Sequence, residues 1–528
     1  MKVQKLIRFL PDWKNAALAV ISAILLILAF PDFEFWFLAW FALVPLLWAI
    51  ERENESPVKS FAVGWLFGTI FFFGTCWWLT FAPITYAGFP SLLAYFLMLC
   101  VSVAVGIFPG IFSALLSLIL NRYGNLAILS APFIWIFTEF LRYWLTGNNW
   151  NAIGYSQAFN KGLIGSAEFG GIYLVGFWCI FLNSLATLII LSLIQISAIK
   201  NNGNARAGKD DLFIVILTSV FVLPFAFFPT FSFSEYLNDK INIIAIQPNV
   251  PMAGLTYEKW KSLRQKHAEL AESALAKLPA DNRLPTTVIF PESPMNFAYE
   301  EDEEFQRFVH AFAAKHDVNV LFNSAEPDAA SNKYFNSAVL VGPQGTELAQ
   351  YDKIYLVPFG ESVPAPLQSI VPAFVGSFSY GSEYDLVPLG DAKAGIMICF
   401  ESHFGQLSRE YVRNGADVLI EMTNDGYLGP TPVLRQHLAN AVFRAVETNR
   451  PVLRVTNVGI TAYIDERGQV IDPAASYTED TRIWSVSKSD GGQTFYVRYG
   501  DWFAWLCSVI TIVLLISVFV RTQRIESE

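Results

Sequence analysis

Two hydrophobic patterns divide the chain. Long, almost uninterrupted apolar stretches fill residues 15–231 and 502–520, whereas residues 239–499 alternate short β-branched runs with amphipathic segments. A helix that crosses roughly 30 Å of bilayer hydrocarbon needs about 20 apolar residues. The first pattern therefore predicts a bundle of membrane helices, and the second predicts a globular α/β domain.

About eight apolar segments are candidate membrane spans. They are Asn15–Phe30, Phe35–Ile50, Phe61–Thr80, Ser91–Leu120, Leu126–Phe140, Ile172–Leu193, Leu212–Phe228 and Trp502–Val520. Lys and Arg concentrate in alternate loops, so the positive-inside rule predicts that both termini are cytoplasmic. The polar region between the last two spans should then lie on the opposite side. Because no small-residue cleavage site follows the first span, we expect an anchor and not a removed signal peptide.

These patterns predict three parts. Residues 1–231 form an N-terminal transmembrane domain of seven helices, residues 232–499 form an extracytoplasmic domain, and residues 500–528 form a last helix with a cytoplasmic tail. In the middle part the extended runs predict strands and the amphipathic runs predict helices. The predicted strands are "INIIAIQPN", "TTVIFPES", "VNVLFNS", "NSAVLVGPQG", "AGIMICFES", "ADVLIEMTND" and "RPVLRVTNVGITAYIDERG", and the predicted helices are "YEKWKSLRQKHAELAESALAKL" and "VLRQHLANAVFRAVETN".

Charge and cysteine content narrow the function classes. The formal net charge of −10 argues against a nucleic-acid partner, and the run "YEEDEEF" is typical of a solvated helix face. Four of the five cysteines lie in apolar segments, where they are expected to be small buried side chains. Cys399 is the exception, so a disulfide framework is not expected. The histidines lack ligand spacing and no Gly-rich phosphate loop is present, so we expect neither a metal nor a cofactor.

Three side chains capable of chemistry stand at the ends of extended runs. Glu292 follows "TTVIFP", Cys399 follows "GIMI", and Lys353 precedes "IYLVPFGES". A thiol with a pKa of about 8.5 is mostly protonated at neutral pH, so a nucleophilic cysteine needs a base, a cation or both. His403, four residues on, is one candidate base. A Glu292 carboxylate with a Lys353 ammonium for the oxyanion is the other.

The motifs "FPES", "YDKIYLVPFGES" and "ICFES" resemble, in order, those of the nitrilase (carbon–nitrogen hydrolase) superfamily. The resemblance implies that Glu292 is the base, Lys353 the oxyanion-stabilising lysine and Cys399 the nucleophile. It also implies that Glu361 orients the lysine and that Glu401 is important for activity. The backbone N–H of Phe400 would complete the oxyanion site.

The whole chain is similar to the apolipoprotein N-acyltransferase family. The segments that carry this likeness are "FTEFLRYWLTGNNWNAIGYSQ" and "TNDGYLGP" with "QHLANAVFRAVETNRPVLRVTNVGITAYID". Trp150, Gly154 and Tyr155 fall on family-typical positions, and the resemblance makes Trp150, Tyr155 and Tyr427 candidates for substrate binding. Phe290, Phe400 and Tyr427 replace the family's commoner Trp, Tyr and Trp. These aromatic-for-aromatic changes affect lipid contacts and leave the chemistry intact.

The resemblance implies a multi-pass protein of the bacterial inner membrane. Its fold would be seven helices, a periplasmic nitrilase-like αββα domain and an eighth helix. It would move a fatty acyl chain from a membrane phospholipid, through a cysteine thioester, to the N-terminal amine of a diacylglyceryl apolipoprotein, and we expect it to act as a monomer. Two rival hypotheses are a membrane-tethered amidase for a small amide and a catalytically dead binding module.

Three further segments have two interpretations each. The loop from Arg142 to Gly162 is either a wall of the site or an interfacial aromatic belt. Glu139 either pairs with Arg142 one turn later or belongs to a proton relay. The segment Val363–Gly381 is either a mobile lid or a packed surface loop.

Overall fold

The computed structural model of the chain describes residues 10–199, 236–279, 281, 283–292, 298–363 and 378–526. It divides into two compact units. The first comprises Met1–Thr230 with Asp501–Glu528, and the second comprises Phe231–Gly500.

The described part of the first unit is helical. Its α-helices are α1 (Trp13–Leu28), α2 (Val44–Arg52), α3 (Pro57–Cys76), α4 (Phe81–Thr85), α5 (Ser91–Val105), α6 (Ile107–Tyr123), α7 (Ala131–Thr146), α8 (Ala167–Ile199) and, at the end of the chain, α14 (Trp502–Glu526). Short 3-10 helices join them at Trp36–Trp40, Trp77–Thr80, Asn125–Ser130, Ile153–Gln157 and Ile164–Ser166. Gly170 and Gly171 leave helical geometry and put a kink near the start of α8.

Several of these helices are long and apolar enough to cross a membrane. Five stretches meet this criterion among the described residues: Pro57–Thr85, Ser91–Tyr123, Asn125–Thr146, Ile164–Ser197 and Trp502–Val520. Trp13–Leu28 is a shorter apolar helix of 16 residues. The prediction of a helical membrane part is confirmed at this level.

The second candidate span, Phe35–Ile50, is not one continuous helix. The chain forms the 3-10 helix Trp36–Trp40 and then starts again at α2. Between them, the N–H of Leu43 donates to the side chain of Asn183 at 2.8 Å instead of to a helical carbonyl. A proline in the first turn of α2 has no N–H to continue a ladder from upstream. The candidate at Leu212–Phe228 lies outside the described residues.

Small residues allow α3 and α6 to pack closely. A Cβ on Gly64 would lie 2.1 Å from Ser113 Oγ, and one on Gly68 would lie 2.8 Å from Pro109 Cγ. The Ser113 hydroxyl donates to the carbonyl of Pro109 on its own helix at 2.9 Å. Close backbone approach with internally satisfied polar groups is how apolar helices associate where lipid surrounds them.

The described part of the second unit contains two mixed sheets. Its strands are β1 (Tyr236–Gln247), β2 (Thr286–Ile289), β3 (Asn319–Pro327), β4 (Tyr334–Val341), β5 (Glu347–Asp352), β6 (Phe378–Ser379), β7 (Leu386–Leu389), β8 (Ala392–Ile398), β9 (Val418–Thr423), β10 (Val452–Thr456), β11 (Ala462–Ile464), β12 (Val470–Ile471) and β13 (Asp480–Ser489). One sheet has the order β13-β1-β2-β3-β4-β5, with β6 beside β4. The other has the order β12-β11-β10-β9-β8-β7.

Helices cover the outer faces of the two sheets. They are α9 (Tyr257–Leu275), α10 (Glu303–His316), α11 (Gly405–Arg413), α12 (Val433–Thr448) and the short α13 (Phe495–Tyr499). Apolar side chains of α9 and α10 pack with those of β1 to β4 in one buried core. α11 packs on β8 and α12 on β10, and Thr456 Oγ1 of β10 donates to Gln247 Oε1 of β1 at 3.1 Å. The predicted α/β domain is thus an αββα sandwich.

The helix ends of this unit follow capping rules. Asp302 accepts the N–H groups of Glu304 and Phe305, and Asp317 ends α10 in the left-handed conformation. Thr256 accepts the N–H of Lys259 at the start of α9. Such caps satisfy amide groups that the helix itself cannot pair. The predicted boundaries of α9 and α12 agree with those observed within a few residues.

Candidate active site

Parallel pairing of β8 and β9 brings two chain segments to the same edge of one sheet. Ile398 is the partner of Met422 in this pairing, so Cys399 and Asn424 lie at neighbouring strand ends. Glu292 follows β2 of the other sheet, and its Oε2 accepts the N–H of Asn424 at 3.1 Å. Two residues that are 132 positions apart are thereby joined across the two sheets.

Cys399 occupies a sharp turn from β8 into the 3-10 helix Cys399–His403. Its φ of 53° lies in the left-handed region, which a side chain with a Cβ rarely adopts. Burial and the Glu292 carboxylate raise the pKa of the Cys399 thiol well above its usual range, while the Lys353 ammonium lowers it. The resting thiol is therefore protonated, and attack requires a base that removes the proton.

Lys353 is completely buried between two carboxylates. Its Nζ donates to Glu361 Oε1 at 2.8 Å and lies 3.8 Å from Glu292 Oε1. Burial disfavours the ammonium, but Glu361 and Glu292 outweigh burial and raise the pKa of Lys353 above its ordinary value. The lysine is a fixed positive charge. Lys353 directly follows β5. The sequence predicted an extended run after Lys353, but the chain turns there and the N–H of Ile354 donates to Glu401.

The pKa of Glu292 is raised above its ordinary value, mainly by burial. The Lys353 ammonium lowers this pKa, and the Glu361 carboxylate raises it. A carboxylate with a raised pKa is a better base than an exposed one. Asn336 donates its amide to Glu292 Oε1 at 3.0 Å and to Glu361 Oε1 at 2.7 Å. Asn336 in turn accepts from Asn323 at 2.7 Å, so the two carboxylates are held by one buried amide.

Glu401 connects the cysteine turn to the lysine segment and is fully buried. Its Oε1 accepts the Tyr351 hydroxyl at 2.8 Å and the N–H groups of Ile354 and Tyr355 at 2.7 and 3.0 Å. Its Oε2 accepts the N–H of Ile398 at 2.8 Å. These contacts give Glu401 a structural position between Lys353 and Cys399.

The other predicted residues occupy varied environments. Phe400 follows the cysteine, and its ring lies parallel to His403 with centroids 5.7 Å apart. Tyr427 is 47% exposed, in the turn after β9. Trp150 and Tyr155 belong to the first unit, where Tyr155 is buried. A role in substrate binding for these aromatic residues stays a prediction.

Glu139 and Arg142 both hold the loop that follows α7. Glu139 Oε1 accepts the N–H of Ile153 at 2.9 Å, and Arg142 donates to the carbonyl of Trp150 at 3.0 Å. The guanidinium also lies 4.9 Å from the centre of the Phe72 ring. These contacts support a structural role for the two residues. Most of the predicted lid at 363–381 lies outside the described residues.

Sequence reasoning missed Asn336 and His437. His437 Nε2 lies 3.0 Å from the carbonyl oxygen of Cys399, and its Nδ1 lies 2.7 Å from Asp425 Oδ1. Asn336 carries no motif of its own. The available signal for His437 is its place in the family-like segment "QHLANAVFRAVETNRPVLRVTNVGITAYID", since lack of metal-ligand spacing does not exclude a hydrogen-bonding role.

This arrangement suits acyl transfer. A protonated thiol lies under the influence of a buried carboxylate and a fixed ammonium, at the end of a strand where backbone N–H groups become available. The carboxylate can take the thiol proton, and the ammonium can stabilise a tetrahedral oxyanion. The second glutamate holds the ammonium in place.

Comparison with known proteins gives matches to both parts of the chain. The family model described as "Apolipoprotein N-acyltransferase N-terminal domain" matches residues 22–185, and the model described as "Carbon-nitrogen hydrolase" matches residues 245–496. The second match covers the αββα unit except most of β1 and the end of α13, and it includes all the site residues given above for this unit.

Curated relatives extend over nearly the whole chain. The apolipoprotein N-acyltransferase of Geobacter metallireducens is 30% identical over 94% of this chain and 93% of the relative. That of Allorhizobium ampelinum is 29% identical over 88% of each chain. That of Thermotoga maritima is 28% identical over 96% of this chain and 94% of the relative. The chain belongs to the apolipoprotein N-acyltransferase family, with a carbon–nitrogen hydrolase domain of the nitrilase type.

Proposed function

We propose that this protein transfers a fatty acyl chain from a membrane phospholipid to the N-terminal amine of a diacylglyceryl-cysteine in apolipoproteins. The observation that carries the proposal is Lys353, which is buried between Glu361 and Glu292. The charges of Lys353 and Glu292 act on the Cys399 thiol. The full-length similarity to enzymes named apolipoprotein N-acyltransferase supports the choice of substrates.

In the first step, Glu292 takes the thiol proton while Cys399 sulfur attacks the ester carbonyl of the phospholipid. Lys353 and the backbone N–H of Phe400 stabilise the tetrahedral oxyanion. The carbon–oxygen bond then breaks and a carbon–sulfur bond remains. The proton on Glu292 passes to the departing oxygen, so a lysophospholipid leaves and a thioester stays on the enzyme.

In the second step, the free α-amine of the diacylglyceryl-cysteine attacks the thioester carbonyl. Glu292 accepts a proton from the amine, the carbon–sulfur bond breaks, and the proton returns to the thiolate as the amide forms. A thioester is a more reactive acyl donor than an ester or an amide, so the second step proceeds forward. Glu361 and Glu401 position the lysine and the cysteine turn for both steps.

The membrane helices have a physical reason in this scheme. Moving a chain of about sixteen carbons into water costs on the order of 0.8 kcal/mol per methylene, or roughly 12 kcal/mol. An acyl chain that stays among apolar helices avoids this cost while its carbonyl reaches the cysteine. Trp150, Tyr155 and Tyr427 are assigned to substrate binding because their segments resemble those of the family.

The proposal includes a topology. Eight membrane segments are proposed, seven in residues 1–231 and one in residues 500–528. The periplasmic catalytic domain, residues 232–499, lies between the seventh and eighth segments in sequence. Both termini are cytoplasmic, the protein acts as a monomer in the bacterial inner membrane, and nucleic acid is not a partner. The distribution of Lys and Arg supports this orientation.

The rival function, hydrolysis of a small amide, is not favoured. An amidase would have no use for an N-terminal part that matches the acyltransferase N-terminal domain over residues 22–185. A binding module without catalysis would not need a buried lysine held by two carboxylates, because burial of such charges is costly.

Intact-mass measurement of the purified protein with a phospholipid tests the proposal. We expect one fatty-acyl adduct that hydroxylamine removes, and transfer of that acyl group to a synthetic diacylglyceryl-cysteine peptide. Cys399→Ala should form no adduct, whereas the matched control Cys100→Ala, which removes an exposed cysteine, should behave like the wild type. Absence of any adduct on the wild type would refute the acyl-enzyme mechanism.

A further inference from the structure

A buried cluster of four charged side chains lies behind the cysteine turn. Arg454 Nη1 lies 2.5 Å from Glu421 Oε1, and Arg454 Nη2 lies 2.7 Å from Asp425 Oδ2. His437 completes the cluster at 2.7 Å from Asp425 Oδ1 and 3.0 Å from Glu421 Oε1. None of these side chains is more than 4% exposed. A set of charges this deeply buried is retained at a cost, which invites a functional explanation.

The acceptors around His437 define its protonation state. Its Nδ1 faces a carboxylate oxygen of Asp425, and its Nε2 faces the carbonyl oxygen of Cys399 and the Glu421 carboxylate. Carbonyl and carboxylate oxygens accept hydrogen bonds, and a neutral imidazole has only one N–H to donate. Both ring nitrogens must therefore carry hydrogen, so His437 is an imidazolium.

The charges of the cluster agree with this state. With His437 protonated, Arg454 and His437 balance Glu421 and Asp425, and the buried set is neutral. Burial and Arg454 lower the pKa of His437, but Asp425 and Glu421 outweigh them and raise it to about 9. Burial raises the pKa of Asp425, while Arg454 and His437 more than offset this and leave it below its ordinary value.

His437 donates a hydrogen bond to the peptide unit between Cys399 and Phe400, whose N–H is the proposed oxyanion donor. The carbonyl of Cys399 and the N–H of Phe400 belong to the same peptide unit, which is trans. In a trans peptide the C=O and N–H bonds point in opposite directions within one plane. A donor that holds the carbonyl on one side therefore aims the N–H at the other. This constraint acts where the Cys399 φ of 53° makes the backbone strained.

We propose that His437 is a positioning residue, an imidazolium fixed by Asp425 that holds the Cys399 carbonyl and so orients the Phe400 N–H toward the oxyanion. The inference rests on the proposed acyl transfer through Cys399. His437 does not take the thiol proton, because its donors face the carbonyl and the carboxylates. It acts through the peptide, and its effect should appear only in steps that form an oxyanion.

Two substitutions separate the hydrogen bonds of His437. The amide of Gln can reach the position of Nε2, so His437→Gln keeps a donor to the Cys399 carbonyl. The amide of Asn can reach only the position of Nδ1, so His437→Asn keeps the contact with Asp425 and loses the one with Cys399. We expect His437→Asn to slow acylation of Cys399 by roughly 10–100-fold and His437→Gln by less than about 5-fold.

The assay measures single-turnover acylation of the full chain in detergent, with a phospholipid bearing two palmitoyl chains, by intact mass. In parallel, a neutral haloacetamide alkylates Cys399 in a Cys100→Ala background. Alkylation forms no oxyanion, so its limiting rate at high pH should be unchanged in both variants. An equal loss in both variants, a loss of alkylation parallel to acylation, or wild-type acylation by His437→Asn would overturn the proposal.

The wild-type protein provides an independent readout if the variants do not fold. Acylation should decrease as the pH rises through about 9, where His437 loses one of its two donors, whereas alkylation should continue to increase. An acylation rate that rises steadily through this range would reject the role of His437. Failure of the wild type to form any adduct would instead reject the acyl-enzyme mechanism itself, so the two failures are distinguishable.

Discussion

Replacing Glu361 by Gln removes one of the two negative charges that hold Lys353. In the wild type, Glu361 Oε1 accepts from Lys353 at 2.8 Å and from Asn336 at 2.7 Å, and its Oε2 accepts the N–H of Val357 at 2.8 Å. An amide has one acceptor oxygen. If the Gln oxygen accepts from Lys353 and Asn336, the Gln NH₂ must face the N–H of Val357, and two donors then face each other. The substitution therefore loses both a charge and a hydrogen bond.

The size of the effect follows from these contacts. At an effective dielectric constant of about 20, the attraction between unit charges is roughly 6 kcal/mol at 2.8 Å and roughly 4 kcal/mol at 3.8 Å. Glu292 alone would then hold the ammonium, at a longer distance. Desolvation offsets much of the gross attraction, and one charge-assisted hydrogen bond is worth about 1.5–3 kcal/mol net. We expect a decrease of roughly 10–100-fold in the plateau rate of acylation.

The pH profile should change as well. The Glu361 carboxylate helps to raise the pKa of Glu292. Without it, the pKa of Glu292 decreases and the base stays ionised at lower pH. The acidic limb of the single-turnover profile should therefore move to lower pH while the plateau decreases. Glu347→Gln, which changes an exposed carboxylate on β5, is the matched control and should show neither effect. An unchanged plateau, or an acidic limb that moves upward, would refute the assigned role of Glu361.

Substitutions at three further positions test the surroundings of the site. Asn336→Ala removes the amide shared by Glu292 and Glu361 and should slow adduct formation at least about 10-fold, with Asn336→Asp slower still because it adds a third negative charge; wild-type rates in both would contradict this. Burial raises the pKa of Glu401 from 4.5 to about 7, so the unfolding free energy of the wild type should decrease as the pH rises across that interval. Glu401→Gln should abolish this part of the pH dependence in thermal unfolding and, because its NH₂ would face the Ile398 N–H, reduce stability by about 2–3 kcal/mol. Asp302→Ala removes the cap of α10 and should cost about 1 kcal/mol in thermal unfolding without changing acylation; a loss of activity would show that α10 contributes to the site.

Much of the fold was predictable from local pattern. The helices Tyr257–Leu275 and Val433–Thr448 and the strands that precede Glu292 and Cys399 follow from periodicity within short windows. The break in the second candidate span combines a local signal, the proline in the first turn of α2, with a contact that no short window contains. That contact is the hydrogen bond from the N–H of Leu43 to Asn183, a residue 140 positions away.

The sequence by itself determined which residues could carry the chemistry, because a strand end, a motif and an isolated thiol are local features. Only the tertiary structure decided that Glu292 accepts from Asn424, that Asn336 joins two carboxylates, and that His437 holds the Cys399 carbonyl. These contacts depend on the register of β8 against β9 and on the packing of two sheets from distant parts of the chain. A short window of sequence contains neither, and the charges and hydrogen bonds of the site exist only once both are formed.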